Sequence, residues 1–223
     1  MPKTIARGKF ISFEGLDGCG KTTQMEKLVA SLRSESIEVL TTREPGGTEI
    51  GERIRAVLLD SRTAGLDSYA EMALMFASRA QLIAEVIEPA LAAGKWVLCD
   101  RFTDSTEAYQ GGGRQIGSEA VLKLHKLLCR GLWPDLTILM DSDVSFSVNR
   151  ARRRNKSAEQ DENRFEKESH GFFTRVREAF LEIARREPQR VILIDARPPI
   201  ELVHAEILRA VGGRLRTSPA SRL

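Results

Sequence analysis

Residues 15–22, which read GLDGCGKT, match the pattern G-x-x-x-x-G-K-[ST] at every defined position. An apolar run at residues 10–13 comes before them, and a stretch with helical periodicity at 22–34 comes after. Glycines let backbone N–H groups approach an anion closely, and a helix N-terminus adds partial positive charge. The pattern therefore predicts a phosphate loop in which Lys21 reaches the terminal phosphates of a nucleotide and Thr22 offers its hydroxyl to Mg²⁺.

Three other apolar runs are followed directly by an aspartate, at Asp100, Asp141 and Asp195. Ligands of open parallel sheets bind at the carboxyl ends of strands. Only Asp100 is followed by a cation and an aromatic residue, Arg101 and Phe102. A carboxylate there can hold magnesium through water while the planar guanidinium binds an anionic phosphate. Asp141 and Asp195 are predicted to be strand-end caps or turn residues.

Two glycine-containing loops carry further candidate contacts. Residues 42–48, TREPGGT, place Arg43 near the same edge as Arg101, with Thr48 as a helix cap. On this stretch alone, a plain surface loop and a substrate-binding loop are both open. Residues 109–114, YQGGGR, combine an aromatic side chain, close backbone approach and a cation, and a merely flexible loop is the alternative.

Short apolar runs alternate with longer helical patterns, which predicts one doubly wound α/β domain built on a parallel sheet. The predicted strands are 10–13, 39–42, 96–99, 136–140 and 191–194. The predicted helices are 22–34, 48–59, 69–93, 118–128, 145–153, 166–186 and 199–211. The domain is predicted to span residues 1–211 with a lid at about 149–165, and residues 212–223 are predicted to be a basic, flexible tail.

The composition is typical of a globular protein, with 223 residues, 42% hydrophobic and 29% charged. The net charge of +3 is too small to indicate nucleic acid as a partner of the whole chain. No apolar stretch approaches the roughly 20 residues of a membrane span, and no signal-peptide pattern is present, so we expect a cytoplasmic protein with no membrane partner. Cys19, Cys99 and Cys129 are expected to be reduced and mostly buried.

Six segments together resemble the bacterial thymidylate kinase family. They read FEGLDGCGKTT, TREPGGT, MFASRAQL, DRFTDST, AYQGGGR and RFEKES, and they occur in one order over about residues 10–207. The resemblance implies a P-loop kinase fold, with a parallel five-stranded sheet flanked by helices and an arginine-rich lid. It also implies transfer of the γ-phosphate of ATP to dTMP, which gives dTDP and ADP for dTTP supply, with Mg²⁺ as cofactor and a homodimeric assembly.

The resemblance implies roles for individual residues as well. The phosphate loop would bind ATP through Gly15, Leu16, Asp17, Gly18, Cys19, Gly20, Lys21 and Thr22. Asp17 would also face the sugar 3′-hydroxyl and the acceptor phosphate, and Asp100 would lie near the metal. The remaining dTMP contacts would be the phosphate-binding Arg43 and Arg101, the base-reading Arg79, Tyr109 against the sugar 2′ position, and Thr106 and Gln110 at the nucleoside.

The aromatic residue that stacks on the base is ambiguous in this sequence. In the family it often lies four residues before the base-reading arginine, a position that Met75 occupies here, whereas Phe76 lies three before Arg79. Both spacings fall on nearly the same helical face. We expect Phe76 to stack on thymine, and the alternative is that Phe76 belongs to the core while Met75 touches the base.

A basic run at residues 149–156 lies in the predicted lid. The family has one branch with a catalytic arginine in the phosphate loop and another with it in the lid, and Gly18 at the loop position indicates the second branch. The predicted catalytic set is therefore Lys21, Asp17 and Arg101 with the lid arginines Arg150, Arg152 and Arg154, and Arg153 is a further candidate. At least one of these arginines is expected to be merely solvated. Residues 164–168 are predicted to start the helix that closes with the lid.

Two other functions are compatible with a phosphate loop. One is a P-loop kinase for another nucleoside monophosphate or a deoxynucleoside, which acceptor specificity would distinguish. The other is a nucleotide-switched binding module, which generally carries an Asn-Lys-x-Asp motif. The nearest stretch, NKSA at residues 155–158, lacks the aspartate, so the switch is disfavoured.

Overall fold

The computed structural model describes residues 6–63, 65–155 and 164–215. Five parallel strands form one sheet in the order β2-β3-β1-β4-β5. The strands are β1 Phe10–Glu14, β2 Val39–Arg43, β3 Trp96–Asp100, β4 Leu136–Asp141 and β5 Val191–Asp195. The predicted five-stranded parallel α/β fold is confirmed.

Each strand begins at the predicted residue and runs one residue further, to a charged side chain. Backbone pairing continues past the last apolar position, so that Arg43 pairs with Asp100 and Asp141 pairs with Asp195. The hydrogen bonds between strands are made by backbone groups, so the pairing can include a terminal residue with a charged side chain, which explains the extra residue. The charged residues therefore stand at the carboxyl edge of the sheet, where ligands of this fold bind.

Helices cover both faces of the sheet. The helices are α1 Lys21–Ser34, α2 Glu49–Leu59, α3 Ser68–Leu82, α4 Glu88–Ala92, α5 Thr103–Thr106, α6 Ser118–Leu128, α7 Val144–Asn155, α8 His170–Arg186 and α9 Ile200–Leu215. Short 3₁₀ turns lie at Ser61–Thr63 and Phe165–Lys167, and π-helical segments lie at Ile83–Ile87 and Glu107–Gly113. No helix in the described part of the chain is long and apolar enough to cross a membrane.

Alternation along the strands divides the core between the two faces. Ile11 and Leu98 pack with α1 and α9 on one face, whereas Phe10 and Val97 pack with α3 and α6 on the other. Successive strand residues point to opposite faces, so a strand covered on both sides reads as a continuous apolar run. A third cluster joins the end of the sheet to α7 and α8. Cys19, Cys99 and Cys129 are buried free thiols.

Three predicted helices differ from the observed ones by more than two residues or in helix type. The stretch at 69–93 is helical, but a π turn interrupts it just before Pro89, which has no N–H to continue the α-helical ladder. The helix predicted from residue 166 begins at His170, because Glu168 is extended and Ser169 caps α8 by accepting a hydrogen bond from the Phe172 N–H.

The predicted cap of α2 is confirmed, because the Thr48 side chain accepts a hydrogen bond from the Gly51 N–H.

The last helix is longer than predicted. It continues past Val211 through Gly212 and Gly213, and it ends at Leu215, which is buried in the core cluster with α1. Burial of Leu215 offsets the low helix propensity of the two glycines. The first four residues of the predicted tail are thus helical, while residues 216–223 lie outside the described part of the chain.

Candidate active site

The phosphate loop joins β1 to α1 and leaves the first turn of the helix open. Gly20 has a φ of 104° and precedes α1 without any side-chain cap, so the first N–H groups of the helix point toward the cleft with no side chain bonded to them. Lys21 is buried, and its ammonium group donates to the carbonyl oxygens of Gly15 (3.1 Å) and Leu16 (3.0 Å). This arrangement concentrates positive potential where a polyphosphate would lie.

Gly18 is held against the backbone of α7, whose last residues belong to the predicted lid. It has a φ of 86°, and a Cβ atom at this position would lie 2.2 Å from the Ser147 carbonyl oxygen and 3.0 Å from the Ala151 nitrogen. Those atoms belong to α7 and cannot rotate away as a side-chain end would. The observed contact between the loop and α7 therefore requires glycine at residue 18.

A cavity of about 570 Å³ opens beside this loop. Its walls bring together Asp17, Gly18, Gly20, Lys21, Thr22, Thr23, Arg43, Glu44, Arg55, Asp100, Arg101 and Arg150. Most of the predicted donor, phosphate and metal residues thus face one space. The predicted nucleoside contacts do not line this cavity and are buried: Phe76, Arg79, Thr106, Tyr109 and Gln110.

Arg101 links the phosphate loop to the acceptor side of the cavity. Its guanidinium group donates to the Asp17 carboxylate (2.8 Å), to the Ser105 hydroxyl (2.7 Å) and to the Tyr109 hydroxyl (3.2 Å). The central carbon of the Arg101 guanidinium group also lies 4.9 Å from the centre of the Tyr109 ring. Arg101 has a φ of 73°, a left-handed conformation that is strained for a residue with a side chain. The surrounding contacts are what maintain this conformation.

Glu14 is the main support of the Arg101 turn, and the sequence motifs did not identify it. The fully buried carboxyl group accepts a hydrogen bond from the Phe102 N–H (2.7 Å) and another from the Ser105 hydroxyl. Burial, followed by repulsion from Asp104, raises the pKa of Glu14 to about 8. The signal available in the sequence was an acidic residue at the end of an apolar strand, directly before the phosphate loop.

Arg79 is buried in an ion pair. Its Nε donates to Glu44 (2.6 Å) and its Nη2 to Thr106 (2.9 Å), while the rings of Phe76 and Phe102 lie 4.9 and 5.2 Å from its guanidinium carbon. The other terminal nitrogen, Nη1, is buried and has no hydrogen-bond partner among the described residues. A buried guanidinium with one unused donor is able to bind an acceptor atom of a ligand.

Phe76 and Met75 occupy different surroundings. Phe76 has no exposed surface and packs with Phe10 and Phe102 in the core beside the sheet. Met75 is only partly buried and packs against the cluster that contains Tyr109. This burial favours Met75 as the side chain that can reach a base, contrary to the preference drawn from the sequence.

The 107–113 segment carries the other predicted nucleoside contacts. Tyr109 is buried, and burial raises its pKa above the ordinary range. The neighbouring Gln110 donates from Nε2 to Glu71 of α3 (2.7 Å), and its Oε1 is buried without a partner among the described residues. Glu71 was another residue that the motifs missed, although an acidic side chain within an apolar helical pattern is a signal of a buried pair.

The predicted metal residues have suitable chemistry for Mg²⁺. Thr22 is exposed in the first turn of α1, and the Oδ1 atom of Asp100 is buried with no partner in the described part of the chain. Both side chains offer oxygen, the ligand that Mg²⁺ prefers, and this ion commonly keeps several waters and substrate oxygens. No group of three or more His, Cys, Asp or Glu side chains arranged to hold a metal occurs among the described residues.

The lid arginines differ in their contacts. Arg150 lines the cavity, whereas Arg152 donates to the Glu168 carbonyl oxygen (3.2 Å) and Arg153 is exposed. The side chain of Arg154 and all of residues 156–163 lie outside the described part of the structure. Arg164, predicted to start a closing helix, instead precedes a 3₁₀ turn and donates to Glu71 (2.6 Å).

The fold and the cavity together define a P-loop kinase, because a phosphate loop at the carboxyl edge of a parallel sheet faces an arginine-rich acceptor side. The sequence model of the family "Thymidylate kinase" matches residues 13–207. The chain belongs to the thymidylate kinase family.

Individual relatives agree over nearly the whole chain. It is 47% identical to the thymidylate kinase of Magnetococcus marinus, covering 95% of this chain and 99% of that one. It is 48% identical to the thymidylate kinase of Trichlorobacter lovleyi, covering 92% and 98%. The crystal structure of thymidylate kinase from Ehrlichia chaffeensis superposes with a TM-score of 0.74 at 34% identity, covering 92% and 99%.

Proposed function

We propose that this chain transfers the γ-phosphate of ATP to dTMP, forming dTDP and ADP for dTTP supply. Membership of the thymidylate kinase family supports the reaction. The observation that carries the proposal is the single cavity in which Lys21 of the phosphate loop faces Arg43 and Arg101 across Asp17. A donor and an acceptor phosphate held there would lie in one space, as direct transfer requires.

The phosphate loop binds ATP in this proposal. Backbone N–H groups of residues 15–22 cradle the phosphates, and the Lys21 ammonium moves from the Gly15 and Leu16 carbonyl oxygens to the terminal phosphates. Mg²⁺, held by Thr22 and near Asp100, would neutralise charge on the phosphate oxygens. The unpartnered Asp100 Oδ1 supports that assignment.

The acceptor phosphate binds Arg43 and Arg101. Arg43 now pairs with Glu52 (3.0 Å) at the cavity wall, and Arg101 pairs with Asp17 (2.8 Å). Both guanidinium groups exchange a carboxylate partner for the phosphate. Asp17, once released, is positioned to accept a hydrogen bond from the sugar 3′-hydroxyl. An arginine of the lid, from Arg150, Arg152 and Arg154, stabilises the charge on the transferring group.

The nucleoside lies between α3 and the 107–113 segment. Arg79 donates Nη1 to a carbonyl oxygen of the base, and Thr106 and Gln110 complete the polar wall. Tyr109 lies against the sugar and leaves no room for a 2′-hydroxyl. Met75 or Phe76 covers the face of the base, and their different burial supports Met75.

Assembly and location complete the proposal. The outer surfaces of α2, α3 and α6 expose the apolar side chains Ile50, Val57, Tyr69 and Leu127. Association of two chains would remove these side chains from water, so we propose a homodimer. Static light scattering of the purified protein tests the assembly. We place the enzyme in the cytoplasm, with its substrates ATP and dTMP.

The direct test is ADP formation from ATP and Mg²⁺ with a panel of dTMP, dUMP, UMP, CMP, AMP and GMP. A strong preference for dTMP supports the function, and the Lys21→Ala variant serves as the inactive control. Preference for another monophosphate would keep the donor site and refute the thymine assignment. Hydrolysis of ATP at the same rate with and without acceptor would refute the kinase.

A further inference from the structure

Glu71 lies at the centre of a charged cluster formed with Gln110, Arg114 and Arg164. Its carboxylate has no exposed surface. It accepts hydrogen bonds from Arg164 (2.6 Å), from Arg114 (3.1 and 3.2 Å) and from Gln110 (2.7 Å). Arg114 also pairs with Glu168 (2.6 Å), so the cluster contains two positive and two negative charges. Two guanidinium partners stabilise the ionised form of a buried carboxylate.

This charge state fixes the orientation of the Gln110 amide. An ionised carboxylate only accepts hydrogen bonds, so the group that Gln110 turns toward Glu71 must be its NH₂ donor. The Gln110 carbonyl oxygen is therefore directed elsewhere. That oxygen is buried and has no hydrogen-bond partner among the described residues.

A complementary donor belongs to a side chain that is hydrogen-bonded to the residue just before the 107–113 segment. Arg79 donates one nitrogen to Thr106, which lies one turn before Gln110, and leaves its Nη1 buried without a partner in the described part of the chain. Arg79 Nη1 is thus an unused donor and Gln110 Oε1 an unused acceptor, and Oε1 of Glu44, the ion-pair partner of Arg79, is a further acceptor without a partner among the described residues. A thymine or uracil ring presents the reverse pair on adjacent atoms, with O4 as acceptor and N3–H as donor. Cytosine presents a donor at N4 and an acceptor at N3.

We infer that Glu71 is a positioning residue for base specificity. By holding the NH₂ group of Gln110, it makes the Gln110 carbonyl oxygen the atom that meets N3 of the bound base. A ring with N3–H is accepted, and a ring with an unprotonated N3 is rejected because two acceptors would face each other. This inference rests on the proposed function, since it assigns the base edge of the same acceptor pocket.

The Glu71→Gln variant tests the inference because it reverses the amide. Two arginine bonds, including the 2.6 Å bond from Arg164, converge on Oε2 of Glu71, whereas Oε1 accepts a single arginine bond among the described residues, the longer 3.2 Å one from Arg114 Nε. The remaining carbonyl oxygen of the variant would therefore stay at the Oε2 position. Its new NH₂ group would then occupy the Oε1 position and donate to Gln110. Gln110 would turn, and its own NH₂ group would face the base.

The measurement is kcat/KM for dTMP and for dCMP at saturating ATP. We expect the ratio of dTMP to dCMP to fall about 10- to 100-fold in Glu71→Gln, the effect of one mispaired buried hydrogen bond. Gln110→Met, which removes the amide, should lower the ratio as well. N3-methyl-dTMP, which lacks the N3–H, should be a poor acceptor for the unaltered enzyme.

Glu168→Gln is the matched control. It removes one negative charge from the same cluster, at the partner of Arg114, without contacting Gln110, and we expect the ratio to stay within about twofold, as for a change outside the contact. An equal loss of kcat/KM for both acceptors in Glu71→Gln would overturn the inference and leave only a structural role. Failure of the unaltered enzyme to phosphorylate dTMP would instead refute the proposed function.

Discussion

The two halves of the cavity present positive charge by different physical means. The phosphate loop uses backbone N–H groups and one lysine, whose hydrogen bonds go to backbone carbonyl oxygens and whose ion pair with Asp17 is long, at 4.0 Å. The acceptor half uses arginines that are already paired with carboxylates, as in Arg43 with Glu52 and Arg101 with Asp17. A donor phosphate therefore enters a site with unused N–H groups, whereas an acceptor phosphate has to replace existing ion pairs.

This difference has a consequence for selectivity. Replacing a carboxylate with a phosphate is favourable only when the phosphate is correctly placed to receive both arginines. The pair of Arg79 and Glu44 differs from these two exchangeable ion pairs, because both side chains are almost fully buried. Arg79 can keep its bond to Glu44 and still donate to a ligand, since its Nη1 has no partner among the described residues. The arginines of the acceptor half thus contribute more to orienting the acceptor nucleotide than to its overall affinity.

The largest expected effect is at the donor half. Lys21→Ala removes the one side-chain cation of the phosphate loop, and kcat should fall about 100- to 1,000-fold, as for loss of a key donor to transition-state charge. Steady-state ADP release at saturating ATP and dTMP measures it. A loss of less than about tenfold would mean that the backbone N–H groups alone supply the electrostatic stabilisation.

The second-largest expected effect is at Arg101 in the acceptor half, and it should be confined to the acceptor. Arg101→Lys keeps the charge and loses the fork that reaches Asp17, Ser105 and Tyr109, so kcat/KM for dTMP should fall about 10- to 100-fold. The dissociation constant for ATP, measured by calorimetry, should stay unchanged. Equal weakening of ATP binding would place Arg101 in the donor half and contradict the division.

A third prediction concerns the support of the acceptor half. The pKa of Glu14 is raised to about 8 by burial and by Asp104, above its unfolded value, so the folded protein binds one more proton between about pH 4.5 and 8. Glu14 therefore makes the free energy of unfolding decrease as pH rises through this window, by up to about 1.4 kcal/mol per pH unit. Glu14→Gln should flatten that slope.

Urea unfolding at pH 5.5, 7 and 8.5 measures the slope for both proteins. The glutamine is a suitable variant because it can still accept from the Phe102 N–H and bond to the Ser105 hydroxyl. Parallel pH profiles in the two proteins would show that the Glu14 carboxyl is ionised in the folded state across this range.

The smallest expected effect is at the cavity rim. Glu52→Gln removes the carboxylate that pairs with Arg43, and both side chains of this pair are about half exposed. Because Arg43 would no longer have to leave a carboxylate to bind the phosphate, KM for dTMP should fall about two- to fivefold, in line with the small energies of exposed ion pairs. Glu49→Gln on the same helix, whose partner Arg53 is exposed, is the control. A higher KM in Glu52→Gln would mean that Glu52 orients Arg43 instead of competing for it.

Features formed by consecutive residues, such as the phosphate loop and the strands, were predictable from the sequence. The phosphate loop is read from eight consecutive residues, and the strands from continuous apolar runs, because burial on both faces removes polar side chains locally. The start of α8 was missed, since it depends on the Ser169 cap rather than on periodicity. The longer α9 likewise depends on packing of Leu215 against distant residues.

Pairings across long sequence distances were not predictable. Glu14 meets Ser105, Glu44 meets Arg79 and Glu71 meets Arg164, and in each case the acid comes from a segment remote from its partner. A single sequence shows that an acidic residue interrupts an apolar pattern, which indicates a buried partner without naming it. The sequence alone does not separate Phe76 from Met75, because both lie on nearly the same helical face, and the choice between them stays a prediction that their different packing now weights toward Met75.

Gly18 links the phosphate loop and α7 through simple exclusion of volume. The space that a side chain at residue 18 would fill is taken by the backbone of α7. An arginine at that position and α7 in its present place are therefore mutually exclusive occupants of the same few cubic ångströms. We expect an arginine substituted at residue 18 to displace α7 together with Arg150 and Arg152, so the loop would gain a cation by moving those of α7.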